Sequence, residues 1–263
     1  MFGFTQLFSD SSWTQKRSGS EVSQERKTST SCTKNQRSSN MFKKIIITLV
    51  LAIVPMIVLS ETPIQGDFQG TTWNHAGSPY LIQASVHLTS GTLNIVPDGG
   101  VEIIFYEDCS LTIDGGATFN APGTEADPII FTSSSGNPAA GDWQSIIFVG
   151  DNQVGLANGS FRWCEFTYGG DDTYFATSEN GASGVIELFA HSSVSVRVSK
   201  FTYCLGAAIA VRNQGSNSLT SADSLFIEGL DVGIKCLSSA SAQSICWNKI
   251  NSCDYGVVLN NIA

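Results

Sequence analysis

Four apolar positions in the second half of the chain fall into a repeat that constrains the fold more than any other feature. They are Phe166, Phe201, Ile227 and Ile250, at intervals of 35, 26 and 23 residues. Their flanks match as well, since Glu165–Tyr168 reads Glu-Phe-Thr-Tyr and Lys200–Tyr203 reads Lys-Phe-Thr-Tyr. Repeats of this length indicate a solenoid, in which each unit packs on its neighbours.

Short apolar strands with turn residues between them fill the rest of the chain after residue 60. Downstream they are Gly206–Val211, Val232–Cys236 and Tyr255–Leu259. Upstream, apolar pairs recur about every eighteen residues, at Leu93/Ile95, Leu111/Ile113, Ile129/Phe131 and Ile146/Phe148. Strands this short, without helices between them, cannot form a βαβ sheet. The pattern predicts a single all-β domain over residues 61–263, a single-stranded solenoid of about seven stacked coils.

The segment before this domain has the features of an export signal. Residues 41–60 contain two lysines, an apolar stretch and the sequence Val-Leu-Ser before Glu61, as in a signal peptide. A membrane anchor is the alternative, but the apolar stretch is shorter than the ~20 residues that a spanning helix needs, and it contains Pro55. Residues 1–40 are rich in Ser, Thr and Gln, and we interpret them as an extension upstream of a start at Met41, or as a disordered tail. We expect a secreted or cell-surface protein without a membrane span in its mature part.

Charge is divided unevenly along the chain. Eight of the fourteen basic residues precede residue 45, so that from Glu61 onward six basic residues face twenty acidic ones, a formal charge of −14. A field of this sign repels phosphate backbones, which argues against nucleic acid and anionic membranes as partners. It also argues against an acidic polysaccharide, unless calcium bridges the two.

Residues 92–168 resemble a known family. The matching segments are Thr92–Pro97, Val101–Phe105, Ser110–Gly115, Gly123–Thr132, Gly141–Trp143 and Phe166–Gly170. They are similar to the opening coils of bacterial secreted right-handed parallel β-helix proteins, the pectin-lyase-like repeat proteins found in large surface and adhesin-type polypeptides. Pro97 is followed by Asp-Gly-Gly, where the family has a Pro-Gly turn. The resemblance implies a right-handed helix with Trp73–Tyr80 at its N-terminal end and, because no capping segment follows Val257–Asn261, a domain truncated at its C-terminus.

The search for catalytic groups gives few candidates. The histidines His75, His87 and His191 have no partner at a recognisable spacing, and motifs for a nucleophilic serine or a bound metal are absent from the sequence. Six cysteines follow residue 60, and fifteen pairings are open to them. Cys204 and Cys253 share a repeat position two coils apart, about 9.6 Å, which is too far for a disulfide. We expect most of the six to be buried free thiols.

If the protein were a β-helix lyase, it would combine calcium-binding aspartates with a basic residue that takes a proton from a uronate. The candidates are Arg197, Lys200, Asp171 and Asp172. In the repeat register Arg162 falls beside Arg197 and Glu165 beside Lys200, so we prefer an ion pair between coils for Glu165 and Lys200. Tyr168 and Tyr203 also align, either as a strip for stacking sugars or as packing at a turn.

Three functions remain open at this point. We favour a non-catalytic extracellular or cell-surface scaffold of adhesin type, with an extracellular polysaccharide or host-surface ligand and no cofactor. The alternative is a polysaccharide lyase or glycoside hydrolase, with calcium only in the case of a lyase. A carbohydrate-binding module would need exposed aromatic residues, and we expect Trp143, Trp163 and Trp247 to lie in the core or the cap instead.

Overall fold

The structure is a computed structural model that describes residues 61–170, 184–212, 217–237 and 244–260. The described residues form strands and one short 3-10 turn, His75–Gly77. The first eleven strands are β1 (Thr62–Ile64), β2 (Phe68–Gln69), β3 (Thr72–Asn74), β4 (Tyr80–Ile82), β5 (Val86–Val96), β6 (Val101–Phe105), β7 (Leu111–Asp114), β8 (Ala117–Pro122), β9 (Ile129–Ser133), β10 (Ile146–Val149) and β11 (Ala157–Arg162). The others are β12 (Cys164–Thr167), β13 (Gly184–Ala190), β14 (Ser192–Arg197), β15 (Lys200–Thr202), β16 (Ala207–Val211), β17 (Ser218–Asp223), β18 (Phe226–Glu228), β19 (Val232–Leu237), β20 (Ile245–Cys246), β21 (Lys249–Asn251) and β22 (Tyr255–Asn260).

These strands stack into three parallel sheets. Sheet A has the order β1-β4-β6-β9-β12-β15-β18-β21, sheet B has β2-β5-β7-β10-β13-β16-β19-β22, and sheet C has β3-β5-β8-β11-β14-β17-β20. The chain visits sheets A, B and C in turn and then returns to sheet A, one strand further along. This is the right-handed parallel β-helix that the sequence predicts. The long strand β5 serves both sheet B and sheet C, and it changes direction at Gly91, whose φ is +76°.

The number of coils can be counted over the described residues. Seven turns contribute a strand to each sheet, and β21 and β22 begin an eighth, against the expectation of about seven. In this part of the chain no helix is long and apolar enough to cross a membrane. The expected signal peptide at residues 41–60 and the segment 1–40 lie outside the described residues.

The predicted register of the four apolar repeat positions is confirmed. Phe166 pairs with Phe201, Phe201 with Ile227, and Ile227 with Ile250, all in sheet A. All but Ile250, which is half-buried, are fully buried, and the rings of Phe131, Phe166 and Phe201 stack with centroids 4.7 and 4.5 Å apart. Each buried phenylalanine contributes about 1.5–3 kcal/mol through the burial of its side chain. This column of side chains is the centre of the hydrophobic core.

The eighteen-residue interval upstream has a different meaning from the one that the pattern suggests. Leu111 pairs with Val86 and with Ile146, which lie 25 and 35 residues away, and Ile129 pairs with Cys164, 35 residues away. Residues eighteen apart belong to different sheets of the same coil or of successive coils. The interval therefore measures the step from one sheet to another, because apolar pairs occur in every sheet and not once per coil.

Most turns into and out of sheet A are closed by one residue with left-handed backbone. Between sheets C and A these residues are Trp163, Val198, Ser224 and Trp247, with φ of 50°, 47°, 57° and 57°. Between sheets A and B they are Tyr168, Tyr203, Gly229 and Ser252. A residue other than glycine in this conformation costs roughly 1–2 kcal/mol. The sequence pattern indicates glycine at the turns between strands, but most of these left-handed residues are not glycine.

Buried free thiols and a closed N-terminal end complete the core. The six cysteines after residue 60 are unpaired, and Cys109, Cys164, Cys204 and Cys236 are buried.

At the N-terminal end, Trp73 is 3% exposed and its ring stacks on Tyr80 at 4.6 Å and on Phe68 at 5.9 Å. This stack covers the first turn of the core where the sequence places the N-terminal capping segment.

Candidate functional site

Two of the four candidate catalytic residues lie where strands of sheet C turn into sheet A. This surface, the C–A edge, consists of Arg162–Glu165, Arg197–Lys200, Asp223–Phe226 and Cys246–Lys249 on successive coils. Arg162 is opposite Arg197 and Glu165 is opposite Lys200, as the sequence predicts. Lys200, Glu165 and Trp163 line a groove of about 360 Å³ there.

The ion pairs at this edge differ from the expectation. The structure describes Glu165 and Lys200 and shows no ion pair between them, so that part of the prediction is wrong. Arg197 instead lies 3.7 Å from the carboxylate of Asp223 on the next coil, with 56% of its side chain exposed. An exposed pair of this kind contributes about 0–1 kcal/mol. A guanidinium offers N–H donors and no acceptor, so Arg197 is poorly suited to the role of a base.

The other two candidates, Asp171 and Asp172, lie outside the described residues, as does the rest of the segment 171–183. The proposed approach of these carboxylates to Arg197 and Lys200 stays a prediction. Within the described part of the chain, no group of three or more His, Cys, Asp and Glu side chains could hold a metal ion.

Aromatic residues divide between core and surface. Trp143 is fully buried, stacks on Phe105 at 4.3 Å and donates its indole N–H to the Thr167 carbonyl at 2.8 Å, as expected of a core residue. Trp163 is half-buried, whereas Trp247 is 89% exposed, so its expected place in the core or cap is wrong. It occupies the same left-handed turn position as Trp163, on the last described turn between sheets C and A.

Tyr168 and Tyr203 form the stack at a turn that the register predicts. Their ring centroids are 5.8 Å apart, and Tyr203 is 67% exposed. They are the left-handed residues of two successive turns between sheets A and B. Their packing is explained by the coil repeat, and Tyr203 still presents one ring face to solvent.

A buried ion pair on the outer side of sheet B is the main feature that the sequence reasoning missed. Glu187 in β13 is 0% exposed, and its Oε2 lies 2.9 Å from Nη2 of Arg212, whose side chain is 7% exposed. Arg212 also donates from Nε to Oε2 at 3.1 Å, and the Gly184 N–H donates to Oε1 at 2.9 Å. The signal in the sequence is one acidic residue inside the apolar run Val185–Phe189.

Burial shifts the pKa of one lysine on this face and of two thiols in the core. The pKa of Lys235, which is in the same column as Glu187 and two coils along, is lowered by burial and by the nearby charge of Arg212. Burial raises the pKa of Cys204 to about 12 and that of Cys236 to about 11. Because the thiolate is the nucleophilic form, these thiols are inert at neutral pH.

The histidines have local structural partners. Nδ1 of His75 lies 2.9 Å from the Gly100 carbonyl oxygen, and Nδ1 of His87 lies 3.2 Å from the carboxylate of Asp114 on the next coil. Both side chains are on the surface, as expected, while His191 is half-buried at a turn with φ of 40°. These contacts link neighbouring coils.

Comparison with known proteins agrees with the fold. The family model of the pectate-lyase like beta helix domain matches residues 66–189, from the first coil into β13. Neither a curated protein nor a solved structure matches the chain. The match and the three parallel sheets both fit a pectate-lyase-like parallel β-helix, a scaffold that supports more than one function.

Proposed function

We propose that this pectate-lyase-like β-helix is a non-catalytic extracellular or cell-surface protein, an adhesin-like scaffold that binds its ligand without converting it. The observation that carries the proposal is the state of Glu187. Both of its carboxylate oxygens accept hydrogen bonds, its charge is matched by Arg212, and it is inaccessible to solvent. A general acid or base must reach the proton that it transfers, and this carboxylate cannot.

The charges at the C–A edge support the same conclusion. Arg197 lies 3.7 Å from the carboxylate of Asp223 on one neighbouring coil, and it is opposite Arg162 on the other. Hydrolysis of a glycoside needs two carboxyl groups about 5–9.5 Å apart across one groove. Glu125 and Glu165 both line the groove beside Lys200. Trp163 and Phe226 line it as well, and their aromatic rings suit contact with a bound ligand.

The place of action follows from the sequence before residue 61. A signal peptide at residues 41–60 would deliver the β-helix to the outside of the cell, where polysaccharides and host surfaces are the available ligands. The formal charge of −14 on the exported part disfavours nucleic acid as partner. The proposal requires no cofactor, and calcium enters only if the protein is a lyase.

A polysaccharide lyase is the second candidate, and Lys200 is the observation that favours it. Lys200 lines the groove together with Glu165, so a bound uronate would have a basic residue beside it. The test is incubation of the purified chain with a panel of uronate and neutral polysaccharides in the presence of calcium, following ultraviolet absorbance of unsaturated ends and the release of reducing ends. If a folded sample releases no product from any polysaccharide in the panel, the result supports the scaffold. Unsaturated product that disappears in Lys200→Ala establishes the lyase instead.

A further inference from the structure

The outer side of sheet C carries two columns of neutral hydrogen-bonding residues that run along the axis of the β-helix. The first column is Thr92, Thr118, Asn158, Ser193 and Ser218. The second is Thr72, Asn94, Asn120, Ser160, Ser195 and Ser221. All eleven are half-buried or exposed. Together they form the Ser/Thr/Asn face, which spans six coils.

These eleven positions carry no charge, whereas the next column on the same side of sheet C holds Arg162, Arg197 and Asp223, and the other two sheets carry charge in the columns that correspond. The corresponding column of sheet A contains Glu102, Ile130, Glu165, Lys200, Phe226 and Lys249. That of sheet B contains His87, Thr112, Ile147, Glu187, Ala210 and Lys235. A soluble surface normally carries about 25–35% charged residues, and this chain is strongly acidic overall. The need for a soluble surface therefore does not explain why the Ser/Thr/Asn face lacks charged residues.

Strand stability explains only part of the composition. Serine and asparagine are poor strand residues, yet eight of the eleven positions hold one of them. Some bind a neighbouring coil: Asn120 donates to the side chain of Asn94 at 3.2 Å, and the hydroxyls of Ser195 and Ser221 are 2.8 Å apart. The side chains of Thr92, Thr118, Ser160, Ser193 and Ser218 make no hydrogen bond to any described residue. Their hydroxyl groups are available to a ligand.

The geometry of the face gives these groups a regular spacing. Neighbouring coils are about 4.8 Å apart, and residues on one side of a strand are about 6.6 Å apart. Each hydroxyl both donates and accepts, and each amide offers two donors and an acceptor. A partner that matches such a lattice is extended, uncharged and itself rich in hydroxyl groups. Arg162 and Arg197 border the face in the next column, but the chain as a whole is strongly acidic, which disfavours a polyanion.

We propose that the Ser/Thr/Asn face binds a neutral polysaccharide laid along the axis of the β-helix. Ser160 and Ser193, in the middle of the two columns, lie at the centre of the contact. The proposal rests on the proposed function, because it supplies the ligand class of a non-catalytic scaffold.

The test is binding of the purified chain to three insoluble neutral polysaccharides, cellulose, chitin and a β-1,3-glucan, by depletion from solution, with soluble polygalacturonate as the anionic comparison in affinity electrophoresis. The variant is Ser160→Lys/Ser193→Lys, which introduces two charges on the face. The matched control, Ser134→Lys/Asn251→Lys, adds the same charge away from sheet C at positions that are exposed and half-buried. A second variant, Ser160→Ala/Ser193→Ala, removes the hydroxyls without adding charge and keeps the test open if the lysine variant does not fold.

We expect the parent and the control to bind at least one neutral polysaccharide, and the lysine variant to bind about tenfold more weakly or worse. The alanine variant weakens binding in the same direction by a smaller factor. Equal binding by all four proteins, binding to polygalacturonate alone, no binding to any polysaccharide, or self-association through the face in sedimentation would each overturn the proposal. None of these outcomes involves turnover, so they are separate from the detection of cleaved product, which would overturn the proposed function.

Discussion

Removing the carboxylate of Glu187 is the substitution whose consequence follows most directly from the structure. In Glu187→Gln the side chain keeps its size, but the charge that balances Arg212 is lost. Arg212 is then a cation with 7% of its side chain exposed, and it faces a neutral amide in place of the carboxylate. Breaking a buried ion pair by removing one partner destabilises a protein by about 3–5 kcal/mol. We expect a loss of that size in the free energy of unfolding.

The double variant Glu187→Leu/Arg212→Met distinguishes this explanation from a simple loss of packing. Replacement of both charges by apolar groups removes the cost of burying them, so this variant is expected to be more stable than Glu187→Gln. Glu165→Gln is the matched control, because Glu165 is also an outward strand residue but is half-buried and has no ion pair with the described residue opposite it, Lys200. Its expected effect is within about 0.5 kcal/mol.

Urea unfolding followed by circular dichroism measures these differences as shifts in the midpoint at constant slope. A loss below about 1 kcal/mol in Glu187→Gln, or a double variant less stable than the single one, would refute the reasoning. It would mean that water reaches Arg212 or that the pair contributes nothing to the native state.

Three further predictions concern the core, the turns and the thiols. Phe201→Ala, which removes the end of the stacked column Phe131–Phe166–Phe201, is expected to cost about 3–5 kcal/mol in the same urea experiment, and a loss below 1 kcal/mol would show that the column is loosely packed. Trp247→Gly is expected to raise the urea midpoint slightly, because the left-handed φ of 57° favours glycine and the 89% exposed ring buries little area; a lower midpoint would show that the ring has a packing role. Burial raises the pKa of Cys204 to about 12 and that of Cys236 to about 11, above the ordinary value of 9.0. As the pH rises, these thiols therefore ionise in the unfolded chain before they ionise in the folded one. The folded state keeps its full stability below pH 9 and loses stability as the pH rises from 9 to 12. The variant Cys204→Ala/Cys236→Ala should lose stability less steeply over that range, and an unchanged slope would contradict the assignment.

The parts of the fold that the sequence predicts are those in which one residue type recurs at one place in every coil. Phe166 and Phe201 are both followed by Thr-Tyr, and their alignment sets the register of Glu165 with Lys200 and of Tyr168 with Tyr203 as well. The eighteen-residue interval failed because apolar pairs such as Leu111/Ile113 and Ile129/Phe131 occupy different sheets, and the sequence does not label the sheets.

The candidate site was less predictable, because register fixes which backbones are adjacent and leaves the side chains free. Lys200 is opposite Glu165 without pairing with it, whereas Arg197 reaches Asp223 on the following coil. Glu187 and Arg212 lie 25 residues apart in the sequence, and their ion pair forms because both side chains are buried at the same place. The only indication of this pair in the sequence is a single charged residue in an apolar strand. The Ser/Thr/Asn face became visible once the strands of sheet C were aligned.

The most direct test of a non-catalytic scaffold is mass spectrometry of the sugars left after long incubation of the folded chain with polygalacturonate and with a neutral glucan, each with calcium. The account predicts that both polysaccharides are recovered at their original length. Shortened oligosaccharides, absent when Lys200→Ala is incubated in the same way, would contradict it and make the groove at the C–A edge an active site.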